Sequence, residues 1–186
     1  MKRSLVVIML LLAASCATKP PFSVASHEGL EIVSLHEATI SYYGDYEFVP
    51  VRGENPRKWR KTYFAHLDKQ WRYVGGGSTF IEPYFKTMIF NRELEHAINP
   101  TSWRTELANQ GAESVVLDSL SNKVYTLRYI QKINGRYALF SEALFNTGNH
   151  QYRVVLWSQD SGESLRREAT KIFESIQKTD ISGAKD

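Results

Sequence analysis

The apolar residues of the C-terminal third fall into four short segments separated by turn-forming residues. Each segment is rich in β-branched and aromatic side chains, which favour strands. The dipeptide Asn134-Gly135 between the middle two is preferred in two-residue type I′ turns, because both of its positions need a positive φ. The pattern predicts an antiparallel meander of four strands: Ser114–Ser119, Val124–Ile133, Arg136–Phe145 and Gln151–Ser158.

The period of the apolar positions then changes from that of strands to that of a helix. Between Ser164 and Lys178 apolar residues form one stripe, and charged residues occupy the other positions. Asp160, with Glu163 three residues later, offers an N-terminal capping signal. The pattern predicts an amphipathic helix that covers the meander with a stripe of Leu165, Ala169, Ile172, Phe173 and Ile176.

Upstream, the signals for secondary structure are shorter. Asn99-Pro100 predicts the start of a second helix, since proline is favoured at the first helical position. Trp103, Leu107 and Ala108 would form its narrow buried stripe, and Gly111 would end the helix. Gly75-Gly76-Gly77 indicates a flexible turn or bulge, since no lysine follows for a phosphate loop. Six segments are predicted as strands: Leu30–Leu35, Ala38–Tyr43, Tyr46–Val51, Trp59–Leu67, Trp71–Val74 and Thr87–Ala97.

These elements predict an α+β fold in which a C-terminal amphipathic helix and a shorter mid-chain helix cover an antiparallel sheet. The element order over roughly Thr87–Gln177 resembles the PsbP/Mog1-like α/β/α sandwich. The resemblance is carried by the strand pair RYALFSEALF and YRVVLWS and by the helix SLRREATKIFESI. The alternative is a lipocalin-like β-barrel with a C-terminal helix.

The N-terminus carries a targeting pattern. Lys2 and Arg3 precede an apolar run, Leu5–Ala14, that is too short to cross a hydrocarbon core of ~30 Å. With small residues at its exit, residues 1–15 are typical of a secretory signal peptide. The cysteine Cys16 follows directly, and the segment resembles the lipobox of bacterial lipoproteins. An ordinary signal cleaved after Ala17 is the other interpretation.

The lipobox resemblance implies where the protein resides. Cys16 would be the first mature residue, with a diacylglycerol on its thiol and a further acyl chain, such as palmitate, on its amine. Ala17 in place of Asp implies the outer membrane of the bacterial cell envelope, with a domain that faces the periplasm or, alternatively, the cell surface. We expect a flexible tether at 16–28, a single globular domain at 29–180 and a disordered tail at 181–186.

Charge and cysteine content narrow the classes of function. Loss of Lys2 and Arg3 with the signal reduces the 23 basic residues to 21 against 20 acidic ones, so the formal charge falls from +3 to +1. Nucleic-acid binding is therefore not expected. Cys16 is the only cysteine, which excludes disulfides and thiolate chemistry from the domain. Without zinc-ligand spacing or a serine-nucleophile motif, we expect no metal, no cofactor and no catalytic residue.

The densest cationic cluster is Arg57-Lys58-Trp59-Arg60-Lys61. Cations beside aromatic rings suit a phosphate-bearing polymer or an anionic membrane, so the cluster is a candidate binding surface. Alternation along a strand would divide its charges between two faces, which favours the other interpretation, an edge strand protected by charge.

Glu142 is the carboxylate of most interest. If Asn134-Gly135 forms a two-residue turn, Glu142 lies opposite Leu127, with Tyr125 and Tyr129 diagonal to it on the same face. Either the tyrosine hydroxyls satisfy Glu142 as a buried structural group, or the three residues line a pocket.

The pattern as a whole favours a non-catalytic, membrane-anchored envelope lipoprotein that binds or helps to assemble another envelope component, a protein or a polymer. Two alternatives stay open. One is a carrier or sensor of a small apolar ligand held between sheet and helix; the other is a hydrolase that acts on envelope polymers.

Overall fold

The computed structural model describes residues 22–35, 37–44, 46–50, 71–79, 82–93, 99–159 and 162–178. These residues form an α+β fold, as the sequence predicts. The strands are β1 (Phe22–His27), β2 (Leu30–Leu35), β3 (Ala38–Tyr43), β4 (Tyr46–Pro50), β5 (Arg72–Thr79), β6 (Lys86–Glu93), β7 (Glu113–Ser119), β8 (Tyr125–Ile133), β9 (Arg136–Thr147), β10 (His150–Ser158) and β11 (Gln177–Lys178). The helices are α1 (Pro100–Asn109) and α2 (Gly162–Glu174).

Seven strands form one antiparallel sheet in the order β4-β5-β6-β10-β9-β8-β7. The last four in this order are connected as the predicted meander, with β6 added beside β10. Within the described ranges the sheet is open, with β4 and β7 at its edges, so it does not close into the lipocalin-like barrel that was the alternative.

A second sheet of four strands has the order β1-β2-β3-β11. The first strand of this sheet lies in the segment that was predicted to be a flexible tether. Phe22–His27 pairs with Leu30–Leu35 along its whole length. Phe22 is partly buried against the core. The folded part therefore includes Phe22–His27, ahead of the predicted start near Gly29.

Helix α2 packs against β3, β9 and β10. All five residues of its predicted apolar stripe are buried. The helix ends at Glu174, short of the predicted Lys178, and Ser175 explains why. The Ser41 N–H donates to the Ser175 Oγ at 2.9 Å, and this hydroxyl donates to the Ile172 carbonyl at 2.6 Å. These bonds fix the end of the helix on β3, and Gln177-Lys178 then pairs with that strand.

Helix α1 covers the opposite face of the seven-stranded sheet. It begins as predicted, with the Asn99 side chain accepting from the Ser102 N–H at 3.0 Å and Pro100 in the first turn. Two clusters of buried side chains result: the first core lies between α2 and the two sheets, and the second core, which includes Leu127, Phe140 and Trp157, lies on the α1 side. Leu107 is buried in the second core and Trp103 packs against it, whereas Ala108, also predicted to face inward, is exposed. Gly111, at φ +83°, ends the helix in the left-handed region.

The three glycines of β5 lie inside a strand, not in a flexible turn. The predicted bulge is present, since the pairing with β6 shifts register between Tyr73 and Gly75. A Cβ on Gly76 would lie 2.5 Å from the Thr87 carbonyl oxygen. One on Gly77 would lie 2.6 Å from the Glu47 carbonyl oxygen. Glycine is used here because the neighbouring backbones approach too closely for a side chain.

Candidate functional site

The hairpin that positions Glu142 has the predicted register. Asn134 and Gly135 both adopt positive φ, 51° and 80°. Leu127 pairs with Glu142, and Tyr125 and Tyr129 lie on the same face of β8. Glu142 is only 1% exposed, so its carboxylate depends on partners within the protein.

Two side chains satisfy this carboxylate. The Tyr129 hydroxyl donates to Oε1 of Glu142. Arg153, itself 1% exposed, donates from Nε to Oε2 at 2.8 Å and from Nη2 to Oε1. We call Glu142, Arg153 and Tyr129 the buried triad. It links β8, β9 and β10 across the middle of the sheet.

Glu142 and Tyr129 were predicted from the sequence as neighbours, but Arg153 was not. Arg153 pairs with Leu144, two residues along β9 from Glu142, so it is the diagonal neighbour of Glu142 on the same face. The signal that points to it is the Gly148-Asn149 turn, which sets the register of β9 and β10. The broader predicted turn, Asn146–His150, gave no register.

Aromatic rings enclose the buried triad. Tyr129 stacks on Phe140 with ring centroids 4.9 Å apart, and Phe140 stacks on Trp157 at 5.9 Å. From α1, the Trp103 ring covers Arg153, whose guanidinium carbon lies 4.4 Å from the ring centroid. Tyr125 is partly buried against the same cluster. The triad therefore lies inside the second core, beneath α1.

The surroundings of the triad determine the protonation states of Tyr129 and Arg153. Burial, together with the Glu142 carboxylate, raises the pKa of the Tyr129 phenol well above its usual value. Burial acts to lower the pKa of Arg153, but the carboxylate and Tyr129 outweigh it and the pKa is raised. Tyrosine and guanidinium thus keep their protons at neutral pH. These contacts match the structural interpretation of Glu142.

The opposite face of the sheet carries an open groove between α2 and the strands β7 and β8. It consists of two adjoining depressions of about 290 and 190 Å³. Arg128, Ser141 and Arg166 line both depressions, so they lie where the two meet. Thr126 and Thr170 line the larger one. We call this feature the α2–β8 groove.

The charged groups of the groove are mainly cationic. Arg128 donates from Nη2 to the Asp118 Oδ2 at 2.8 Å in an exposed ion pair. Arg166 is exposed on α2, and within the part of the chain that the structure describes it has no ion-pair partner. The N-terminus of α2 at Gly162 lines the smaller depression and adds positive potential, which Glu163 in the first turn partly offsets.

A third depression of about 260 Å³ lies at the ends of β5, β6 and β10. Tyr84 is exposed at its rim, and the Lys86 Nζ lies 4.9 Å from the Trp157 ring centroid. Among the described residues that line it, the one cation, Lys86, is directed at that indole ring. The α2–β8 groove, with two guanidiniums, is therefore the stronger candidate for ligand binding.

The other predicted sites, Cys16 and Arg57–Lys61, lie outside the described residues, as does the predicted strand Trp59–Leu67. Among the residues with a described position, no three His, Cys, Asp or Glu side chains are grouped to hold a metal ion. A search of the same residues for a helix long and apolar enough to cross a membrane finds none.

Comparison with protein-family models gives no match for this chain, and comparison with curated proteins gives none either. Among solved structures, one match is LpqN of Mycobacterium tuberculosis, which is described as involved in cell envelope biogenesis. The match covers 73% of this chain and 92% of LpqN, at 15% sequence identity and a TM-score of 0.40.

Proposed function

We propose that the protein is a non-catalytic, lipid-anchored lipoprotein of the bacterial envelope that binds another envelope component through the α2–β8 groove. The groove carries this proposal. It is an open recess with a polar centre, where Arg128 on β8, Ser141 on β9 and Arg166 on α2 line both of its depressions.

The chemistry of the groove favours binding over catalysis. A guanidinium stays protonated in proteins, so neither Arg128 nor Arg166 can act as a general base. The carboxylate at the rim, Asp118, is paired with Arg128. The buried carboxylate, Glu142, is held by Arg153 and Tyr129. The hydrolase alternative therefore gains no support from these groups.

The carrier alternative gains little support from the interior. Side chains of α2 and of both sheets fill the space between the layers; among them Ile40, Phe145, Val154, Leu156 and Ile172 are fully buried. An apolar ligand held there would have to displace well-packed side chains, which costs several kcal/mol.

The lipobox at Cys16 supports the membrane part of the proposal. The start of β1 at Phe22 shortens the predicted tether. Six Cα–Cα steps from Cys16 to Phe22 reach at most about 22 Å. The proposed anchor would thus hold the domain close to the membrane surface, where the groove could meet envelope components.

The test is site-specific photo-cross-linking in living cells with the full chain. A benzophenone side chain at Thr170, on the groove, should form an adduct with one envelope component. The same probe at Lys171, which is exposed on the adjoining face of α2, is the matched control and should not form it. Equal adducts from both positions, or none from Thr170, would show that the groove is not the binding surface.

A further inference from the structure

We infer that the α2–β8 groove binds the phosphate group of an anionic amphiphile, with the phosphate between Arg128 and Arg166 and the start of its apolar chain along the groove. This inference names the ligand class for the site of the proposed function and rests on it. Three observations carry it: the donors at the centre, their arrangement around it, and the apolar ends.

The first observation is the number of donors at the centre. Arg128 uses Nη2 to bind Asp118, which fixes the side chain and leaves its Nε and Nη1 donors. Arg166 has its whole guanidinium available within the described part of the chain. Both groups stay cationic, and arginine binds phosphate oxygens through paired, charge-assisted hydrogen bonds.

The second observation is the arrangement of these donors. Arg128 lies on β8 and Arg166 on α2, so the two cations approach the groove from opposite walls. Two hydroxyl residues also line it: Ser141 pairs with Arg128 across β8 and β9, and Thr126 lies two residues from Arg128 on β8. Donors on several sides suit the tetrahedral oxygens of a phosphate better than the two coplanar oxygens of a carboxylate.

The third observation is the apolar surface at both ends. Leu120, Ala169 and Phe173 line the larger depression, and Ile130, Leu139 and Leu165 line the smaller one. Volumes of about 290 and 190 Å³ accommodate a phosphate and the first carbons of a chain but not a complete membrane lipid. Contact with these carbons adds a hydrophobic contribution that grows with the apolar area removed from water.

The experiment is calorimetric titration of the full chain in maltoside micelles, which contain no phosphate. The probes are dihexanoyl phosphatidic acid, inorganic phosphate and hexanoate. We expect saturable binding of the phosphatidic acid, at least about tenfold tighter than that of inorganic phosphate, because only the former reaches the apolar ends. Hexanoate should bind more weakly than either.

Two variants test the location of the phosphate. Arg166→Gln should weaken binding by about tenfold, the loss expected for one charge-assisted contact. Arg167→Gln removes the same charge from the next residue of α2, which does not line the groove, and should change the affinity less than about twofold. Both residues are exposed, so unchanged melting temperatures should confirm that the variants fold.

Three results would overturn the inference: no saturable binding, equal weakening by the two variants, or inorganic phosphate binding as tightly as the amphiphile. The proposed function is tested separately by the adduct from Thr170. If that adduct forms with an envelope component while phosphatidic acid does not bind, the groove is a binding site and only its ligand class is wrong.

Discussion

Arg153 and Glu142 form the ion pair with the largest expected effect on stability in the described part of the chain. Both side chains are almost completely buried, so neither charge can be solvated if the other is removed. We expect Glu142→Gln to lower the free energy of unfolding by about 3–5 kcal/mol, because an uncompensated guanidinium would stay in the core. Urea denaturation measures this loss.

The control for Glu142→Gln is Asp118→Asn, which breaks the exposed pair with Arg128. Exposed pairs contribute roughly 0–1 kcal/mol, so this variant should be nearly neutral. The double variant Glu142→Leu with Arg153→Met should recover much of the lost stability, since a hydrophobic replacement removes both charges. Equal losses from Glu142→Gln and Asp118→Asn would contradict the structural role of the triad.

Glu168 should make the folded state less stable as pH rises, whereas a salt-bridged carboxylate makes it more stable. Burial raises its pKa, although Lys171 and the Tyr46 hydroxyl act to lower it. As pH rises past the ordinary glutamate pKa, the unfolded chain ionises first. Stability therefore falls between the ordinary pKa and the folded-state pKa and stays lower above it.

Glu168→Gln should remove this fall in stability. Because Glu168 is only half buried, the gain over wild type above the window should be less than about 1 kcal/mol. Chemical denaturation of both proteins at several values between about pH 4 and 7 measures it. A difference that does not change with pH would show that burial of the Glu168 carboxylate does not govern this part of the profile.

At the scale of single elements, β5 lies unusually close to the backbones of its neighbouring strands because Gly76 and Gly77 carry no side chains. A methyl group on Gly76 would meet the Thr87 carbonyl oxygen and the Tyr73 hydroxyl, at 2.5 and 2.6 Å. The backbone oxygen cannot move without breaking the pairing of β5 with β6. We expect Gly76→Ala to destabilise the protein by about 1–3 kcal/mol, as measured by thermal unfolding, and Ser78→Ala on the same strand to be close to neutral.

Elements whose signals are local could be predicted from the sequence. Asn134-Gly135 is a turn that fixes its own register, and it placed Glu142 beside Tyr129. The α2 stripe likewise lies within one helix. Elements that depend on distant partners could not: β1 lies in a segment rich in small residues and proline, and pairing with β2 makes it a strand. Ser175 ends α2 through bonds to β3, far away in sequence.

The same distinction applies to the candidate sites. Arg153 was missed because its position beside Glu142 depends on the register of a second hairpin, and the predicted turn Asn146–His150 was too broad to set that register. The α2–β8 groove was missed because Arg128 and Arg166 lie on β8 and α2, which are far apart in the chain and meet only in the folded protein. Neither residue belongs to a sequence motif.

At the scale of the whole molecule, each face of the seven-stranded sheet has a different role. Residues of β9 alternate between the two cores: Ala143 and Phe145 pack with α2 and the smaller sheet, whereas Phe140 and Leu144 pack beneath α1. The face beneath α1 also buries the triad. On the other face, α2 covers β9 and β10 but leaves the polar side of β8 open as the groove. Substitutions in the proposed binding groove on one face should therefore leave the buried charges of the other face in place.

The proposed attachment to the membrane belongs to this scale, because the lipid expected on Cys16 would be carried by the chain end and not by the fold. The expected mature charge of +1 gives little electrostatic attraction to a membrane, whereas two or three acyl chains, at about 0.8 kcal/mol per buried methylene, hold a protein there stably.

Cys16→Ser should therefore abolish labelling by radioactive palmitate and move the protein into the soluble fraction of lysed cells after a high-salt wash. Cys16→Ser protein that stays in the washed membranes would show that something other than lipidation attaches it. If the wild type carries no label and is cleaved after Ala17, the chain is an ordinary secreted protein, and the groove would then have to meet its ligand away from the membrane.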